Sequence, residues 1–168
     1  EAISVIEKAV RTDSARSTSW FTLGQAHQSL GELDRAEKFL RKALALAPSI
    51  PTYQQGLFNL GGIFHGNKRF DQARSIYQDV LASNPNFVEA HFDLGILYFN
   101  LSQFDRSIAA FQQATLLAPD DPEIHLGLAQ AYEQTDQMQK AGRTYQRILG
   151  LDRENQTALE GLKRIQQE

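Results

Sequence analysis

The side chains able to do chemistry are few and badly placed for it. Four histidines are spread over 168 residues. His91 and His125 occupy the same column of a recurring pattern, while His27 and His65 fall in two other columns. If each stands on a helix, neighbouring helices sit about 8–10 Å apart. Two rings at that separation share a metal bonded at ~2 Å only by leaning together. Asp120 and Asp121 are adjacent, yet they precede Pro122, where a carboxylate ordinarily caps a helix amino end. Glu89 and Asp93 stand one helical turn apart, a mildly unfavourable like-charge pair. Cysteine is absent, which excludes disulfides and thiolate chemistry. No glycine-rich phosphate loop follows a strand pattern. The expectation is a chain without catalytic residues, metal or cofactor.

What the residues do supply is a recurrence. Trp20-x-x-Leu23-Gly24 returns as Leu57-x-x-Leu60-Gly61, His91-x-x-Leu94-Gly95 and His125-x-x-Leu128-Ala129. The intervals are 37, 34 and 34 residues. A small residue follows each motif: Ala36, Ala73, Ser107 and Ala141. Four positions later stand Leu40, Tyr77, Phe111 and Tyr145, and three copies close with Pro48, Pro85 and Pro119. A fixed long period of large, small and breaker residues marks a stacked repeat.

The copy from Ser17 to Ile50 shows how a unit must be built. Trp20, Leu23, Gly24, His27 and Leu30 line one helical face, and Ser17, Thr18 or Ser19 is expected to cap its start. Gly31 ends that helix. Leu33, Ala36, Phe39, Leu40, Ala43, Leu44 and Leu46 then give a second helix, with Asp34 and Glu37 early and Arg41 and Lys42 late, as the helix dipole favours. Pro48 closes it. Gly24 and Ala36 are expected on facing helices, where missing side chains let two backbones approach. Filling Gly24 with Leu should overpack the pair and cost about 1–3 kcal/mol.

These motifs resemble the tetratricopeptide repeat family, whose 34-residue pattern carries Trp, Leu-Gly, Tyr, Ala, Phe and Pro. His27, Phe64, Tyr98 and Tyr132 fill the Tyr column. The departures are His91 and His125 for Trp, Ala129 for Gly, Ser107 for Ala and Arg153 for the final Pro. The resemblance implies an all-α, right-handed superhelical solenoid of antiparallel helix pairs, about ten helices in one continuous domain. Repeats are read at 17–50, 51–87, 88–121 and 122–155, with a cap-like helix at 156–168. Residues 1–16 read as the second helix of a truncated repeat, leaving Ile3, Ile6 and Val10 without a partner. A homo-oligomer through that end is one expectation. The long interval places three extra residues near Pro51 to Tyr53, which either extend a helix or lengthen a loop.

In that family the first helix of each pair lines a concave face that takes peptides or partner helices. The helical wheel assigns residues to this face at 100° per residue. The candidate groove comprises Phe58, Asn59, Glu89, Phe92, Asp93, Ile96, Phe99, Asn100 and Gln130. Phe21, Phe58, Phe92 and Leu126 form an apolar ladder beside it. Two readings of the ladder stand: packing between neighbouring repeats, or an exposed binding stripe. Ile96 and Phe99 lie further from any packing column and lean toward a binding surface. No central groove position of a complete repeat is Lys or Arg. The carboxylate clamp of some family members is therefore not expected.

Formal net charge is −3. That balance offers no basic footprint for nucleic acid. No apolar run approaches the ~20 residues that span a bilayer. Residues 88–121 hold Glu89, Asp93, Asp105, Asp120 and Asp121 against Arg106 alone, so a partner with apolar and basic residues would suit them. The compartment is left open, with the cytoplasm favoured. The functional expectation is a non-catalytic scaffold binding a peptide or helix segment. Self-assembly through the ends and convex face, or service as the targeting or regulatory arm of a larger enzyme, are the alternatives.

Overall fold

The computed structural model describes residues 16–167. Those residues form nine helices, and no strand occurs among them. They are α1 (Ser17–Ser29), α2 (Leu33–Leu46), α3 (Pro51–Gly66), α4 (Phe70–Ser83), α5 (Val88–Asn100), α6 (Phe104–Leu117), α7 (Pro122–Gln134), α8 (Met138–Leu151) and α9 (Gln156–Gln167). The half-repeat expected at residues 1–16, and any oligomer through it, falls outside the described residues apart from Arg16. The chain groups into two compact units, Glu1–Pro85 and Asn86–Glu168.

Within each unit, helices pair because small residues meet large ones. In the first unit, a Cβ at Gly24 would stand 2.6 Å from Leu40 Cγ, and one at Gly61 would meet Tyr77 at 2.7 Å. In the second, Gly95 meets the Phe111 ring at 2.6 Å and Gly161 meets the Tyr145 ring at 2.4 Å. All four distances are far below van der Waals contact, so only glycine allows these approaches. Ala129 replaces glycine in its column and is fully buried. Ser107 replaces alanine, and its buried hydroxyl donates to the Gly95 carbonyl at 2.8 Å. The departure costs little because the polar atom is satisfied.

The three extra residues extend a helix. α3 starts at Pro51, whose missing N–H is tolerated in the first turn, and runs for 16 residues where α1, α5 and α7 run for 13. Tyr53, at 4 % exposure, enters the core through this extension.

The four intra-pair turns share one backbone device. Gly31, Lys68, Ser102 and Asp136 all take a left-handed conformation, with φ of 74°, 60°, 56° and 57°. Only the first has the residue that adopts it without a Cβ clash.

Two local expectations are corrected. Ser17, Thr18 and Ser19 do not cap α1: Arg16 is the N-cap, with no side-chain cap bond, and the three hydroxyl residues lie inside the first turn. Thr22 Oγ1 instead donates to the Thr18 carbonyl at 2.9 Å. Leu30 is not on the core face but 60 % exposed, because the helix has already ended at Ser29 and the chain turns toward Gly31.

Candidate functional site

The second unit contains a concave pocket of about 440 Å³. One wall is a stripe of α5: Phe92, Ile96, Phe99 and Asn100. The other is a stripe of α7: Glu123, Leu126, Gly127 and Gln130. Both follow helical spacings that keep side chains on one face. The Phe111 ring, from α6, closes the floor.

The floor explains why these helices leave a pocket. Phe111 is 2 % exposed, and its ring is held between two glycines. A Cβ on Gly95 or Gly127 would stand 2.6 Å from it. The ring takes the space that side chains at both positions would fill. Phe92 leans on it with ring centroids 5.8 Å apart, and Phe99 meets Phe104 edge-on at 5.4 Å. Phe92, Ile96, Phe99 and Leu126 pack against the core while staying partly exposed. Apolar surface is thereby held in fixed positions and left half-covered, which is the usual character of a binding surface.

The directions of the walls follow from pairing. Phe92 lies against Phe111 and Phe99 against Phe104, so α5 and α6 run antiparallel. A short connection returns the chain along α7, which touches α5 directly. Glu89 and Glu123 therefore head the two walls, both exposed and each in a first turn. Asn100 and Gln130 lie toward the other end. Asp121 caps α7, its Oδ1 accepting from Glu123 N at 2.9 Å and Ile124 N at 3.4 Å. Asp120 pairs with Arg147 at 2.7 Å, and both carboxylate oxygens of Glu133 accept from Arg164 Nη2, at 3.1 and 3.2 Å. Beneath that pair, burial first and the Glu133 charge second push the Tyr145 phenol up to about 12.

Of the nine residues read from the sequence as a groove, five line this pocket: Phe92, Ile96, Phe99, Asn100 and Gln130. Glu89 and Asp93 belong to α5 but not to the lining; Glu89 is exposed and Asp93 half-buried. Phe58 and Asn59 belong to the first unit. There Phe58 packs on Tyr77 at 5.6 Å, and the exposed Asn59 accepts from Gln55 Nε2 at 2.9 Å. Glu123 and Gly127 share a helical-wheel face with Gln130, and Leu126 flanks it. Phe111 was legible only as a core column, since nothing local shows that its ring packs between two glycines at the base of a pocket.

The ladder divides. Phe21 is 9 % exposed, its ring 4.7 Å from Tyr53 and occupying the space a Gly56 side chain would need. It is core. Phe92 and Leu126 edge the pocket. Two of the histidines are engaged within the fold: His27 is buried with Nδ1 2.7 Å from Glu32 Oε2, and a ring nitrogen of His125 lies 2.8 Å from the Pro119 carbonyl. Among the described residues, no three His, Asp or Glu side chains gather as a metal would require, and no helix is long and apolar enough to cross a membrane.

Comparison with known proteins agrees with this architecture. A family model described as tetratricopeptide repeat matches residues 64–126 and 101–164, and a second of the same description matches residues 17–50. No curated protein matches the chain. Among solved structures, a crystal structure of MamA protein is similar with a TM-score of 0.69 at 20% identity, covering 90% of this chain and 81% of that one. MamA from Desulfovibrio magneticus RS-1 is similar with a TM-score of 0.64 at 22% identity, covering 92% and 86%. The first TPR of Spaghetti (RPAP3), bound to the HSP90 peptide SRMEEVD, gives a TM-score of 0.65 at 20% identity over 68% of this chain and 90% of that one. The column of small residues against large side chains, the paired helices and the matched repeats lead to one conclusion: the chain belongs to the tetratricopeptide repeat family.

Proposed function

We propose that this chain is a non-catalytic protein-interaction module whose second unit seats a segment of a partner protein, an extended peptide or a helix, between α5 and α7. One observation carries the reading: Phe92, Ile96, Phe99 and Leu126 are held half-covered around a pocket floored by a fixed aromatic ring. Each such side chain covered by a ligand contributes about 1.5–3 kcal/mol before the costs of ordering are subtracted. Glu123 is the single ionisable residue of the lining. A lone carboxylate with no acid or base partner supports binding rather than turnover. The similar RPAP3 domain is bound to a peptide, which supports a segment as the ligand class. That peptide is acidic, and no Lys or Arg lines the pocket here, so the two ligands differ in charge.

The test is affinity capture with the wild-type chain beside Phe92→Ala/Phe99→Ala. A partner retained by the first and lost by the second, with helical circular dichroism preserved, supports the reading. Equal retention by both sinks it, and so does unfolding of the double variant, because the rings would then be core.

A further inference from the structure

From the charge around the pocket, we infer that the bound segment carries a large apolar anchor with a Lys or Arg close to it, the cation lying toward the amino ends of α5 and α7. This rests on the pocket being a segment-binding site.

The anchor follows from the lining, which is aromatic and aliphatic on both walls and aromatic at the floor. Gly127 contributes no side chain to its wall, and the Phe111 ring packs where its Cβ would stand. The cation follows from the head of the walls. Glu89 and Glu123 stand there in equivalent first turns, and Asp121 caps α7 beside them. Each helix amino end offsets about half a charge, so two ends do not balance three carboxylates. The nearby cation, Arg147, is taken up by Asp120 and the Pro119 carbonyl. Arg106 begins α6, at the opposite end of the pocket, with its guanidinium over the Tyr98 ring. An acidic segment would thus meet like charge at one end, while Gln130 at the other offers an amide that serves any main chain.

The probe is a displayed library of random peptides of about twelve residues, long enough to cross both walls. It is panned on wild-type protein and on Glu123→Lys. Wild-type selection is expected to enrich an aromatic or Leu with Lys or Arg within a few positions, and Glu123→Lys to lose that cation. Peptides from the wild-type selection should bind Glu123→Gln roughly 2–5-fold more weakly, the effect of one exposed ion pair. Uncharged or acidic sequences on the wild type, or the same basic consensus on Glu123→Lys, overturn the inference. Ile96→Ser separates the two layers of the argument. If selected peptides bind it as well as wild type, the pocket itself is not the site and the proposed function falls with the inference. If they lose affinity for Ile96→Ser but show no charge preference, only the inference falls. A library from which nothing is enriched overturns both.

Discussion

Phe21 and Phe92 occupy the same column in two different repeats, one in each unit, and the fold uses them oppositely. Phe21 is core, while Phe92 borders a pocket. The cause lies in the next first helix of each unit. In α3 the residue that Phe21 approaches is Gly56, and Tyr53 from the extended first turn closes over it. In α7 the position equivalent to Gly56 is Ile124, which is itself buried and fills that space. The glycine appears one turn later, at Gly127, where it admits Phe111 rather than the ladder residue. Moving a glycine by one helical turn thus changes which ring is swallowed. The lesson is that equivalent residues of a repeat need not share a role, because each is buried by a neighbour whose sequence varies independently.

The largest expected effect tests this contrast directly. Phe21→Ala should cost about 3–5 kcal/mol, as for a buried aromatic, and Phe92→Ala roughly half that, since its ring is already partly in water. Chemical denaturation of both variants measures the difference, and equal losses would break the comparison. Gly56→Ala should destabilise by about 1–3 kcal/mol by driving a methyl into the Phe21 ring. The control is Gly62→Ala on the same helix. Nothing lies within 4 Å of its added methyl, so a gain of about 0.5–1 kcal/mol is expected.

Next comes a pH effect in the second unit. The folded Tyr145 pKa is raised to about 12 from an ordinary value near 10. A raised pKa favours the protonated form on folding, so its contribution is whole below about pH 10 and fades as pH climbs toward 12, by about 2 kcal/mol in all. Thermal melts at pH 9 and pH 11.5 should show a drop that Tyr145→Phe reduces; an undiminished drop would contradict the assignment. The smallest effect concerns the turns. Lys68→Gly in one unit and Ser102→Gly in the other should each raise stability by about 0.5–1 kcal/mol by relieving a left-handed backbone. A gain in one unit only would show that their equivalence stops at the dihedral angles.

The helices, their pairing and their spacing could be read from the chain because they rest on local rules. Apolar periodicity, small residues facing large ones and prolines at helix ends act within one repeat, and Gly24 against Leu40 or Gly61 against Tyr77 repeats the same size logic. The α5 half of the pocket was legible for the same reason, since Phe92, Ile96, Phe99 and Asn100 follow from one helical wheel. The floor was harder. Phe111 looked like a core residue and is one, yet it also lies at the base of the pocket, packed against Gly127 of another helix. Likewise, the sequence allows the three extra residues near Pro51 to extend a helix or a loop, and the structure places them in a helix with Tyr53 packed on Phe21.

The sequence by itself determined that this is an all-helical repeat protein and which columns set small residues against large ones. Those facts depend on residue size and on a period of 3.6, both carried by each segment alone. The tertiary structure decided which rung of the apolar ladder is buried and which is offered to a partner. Burial belongs to two surfaces at once, and the second surface is contributed by a helix more than thirty residues away.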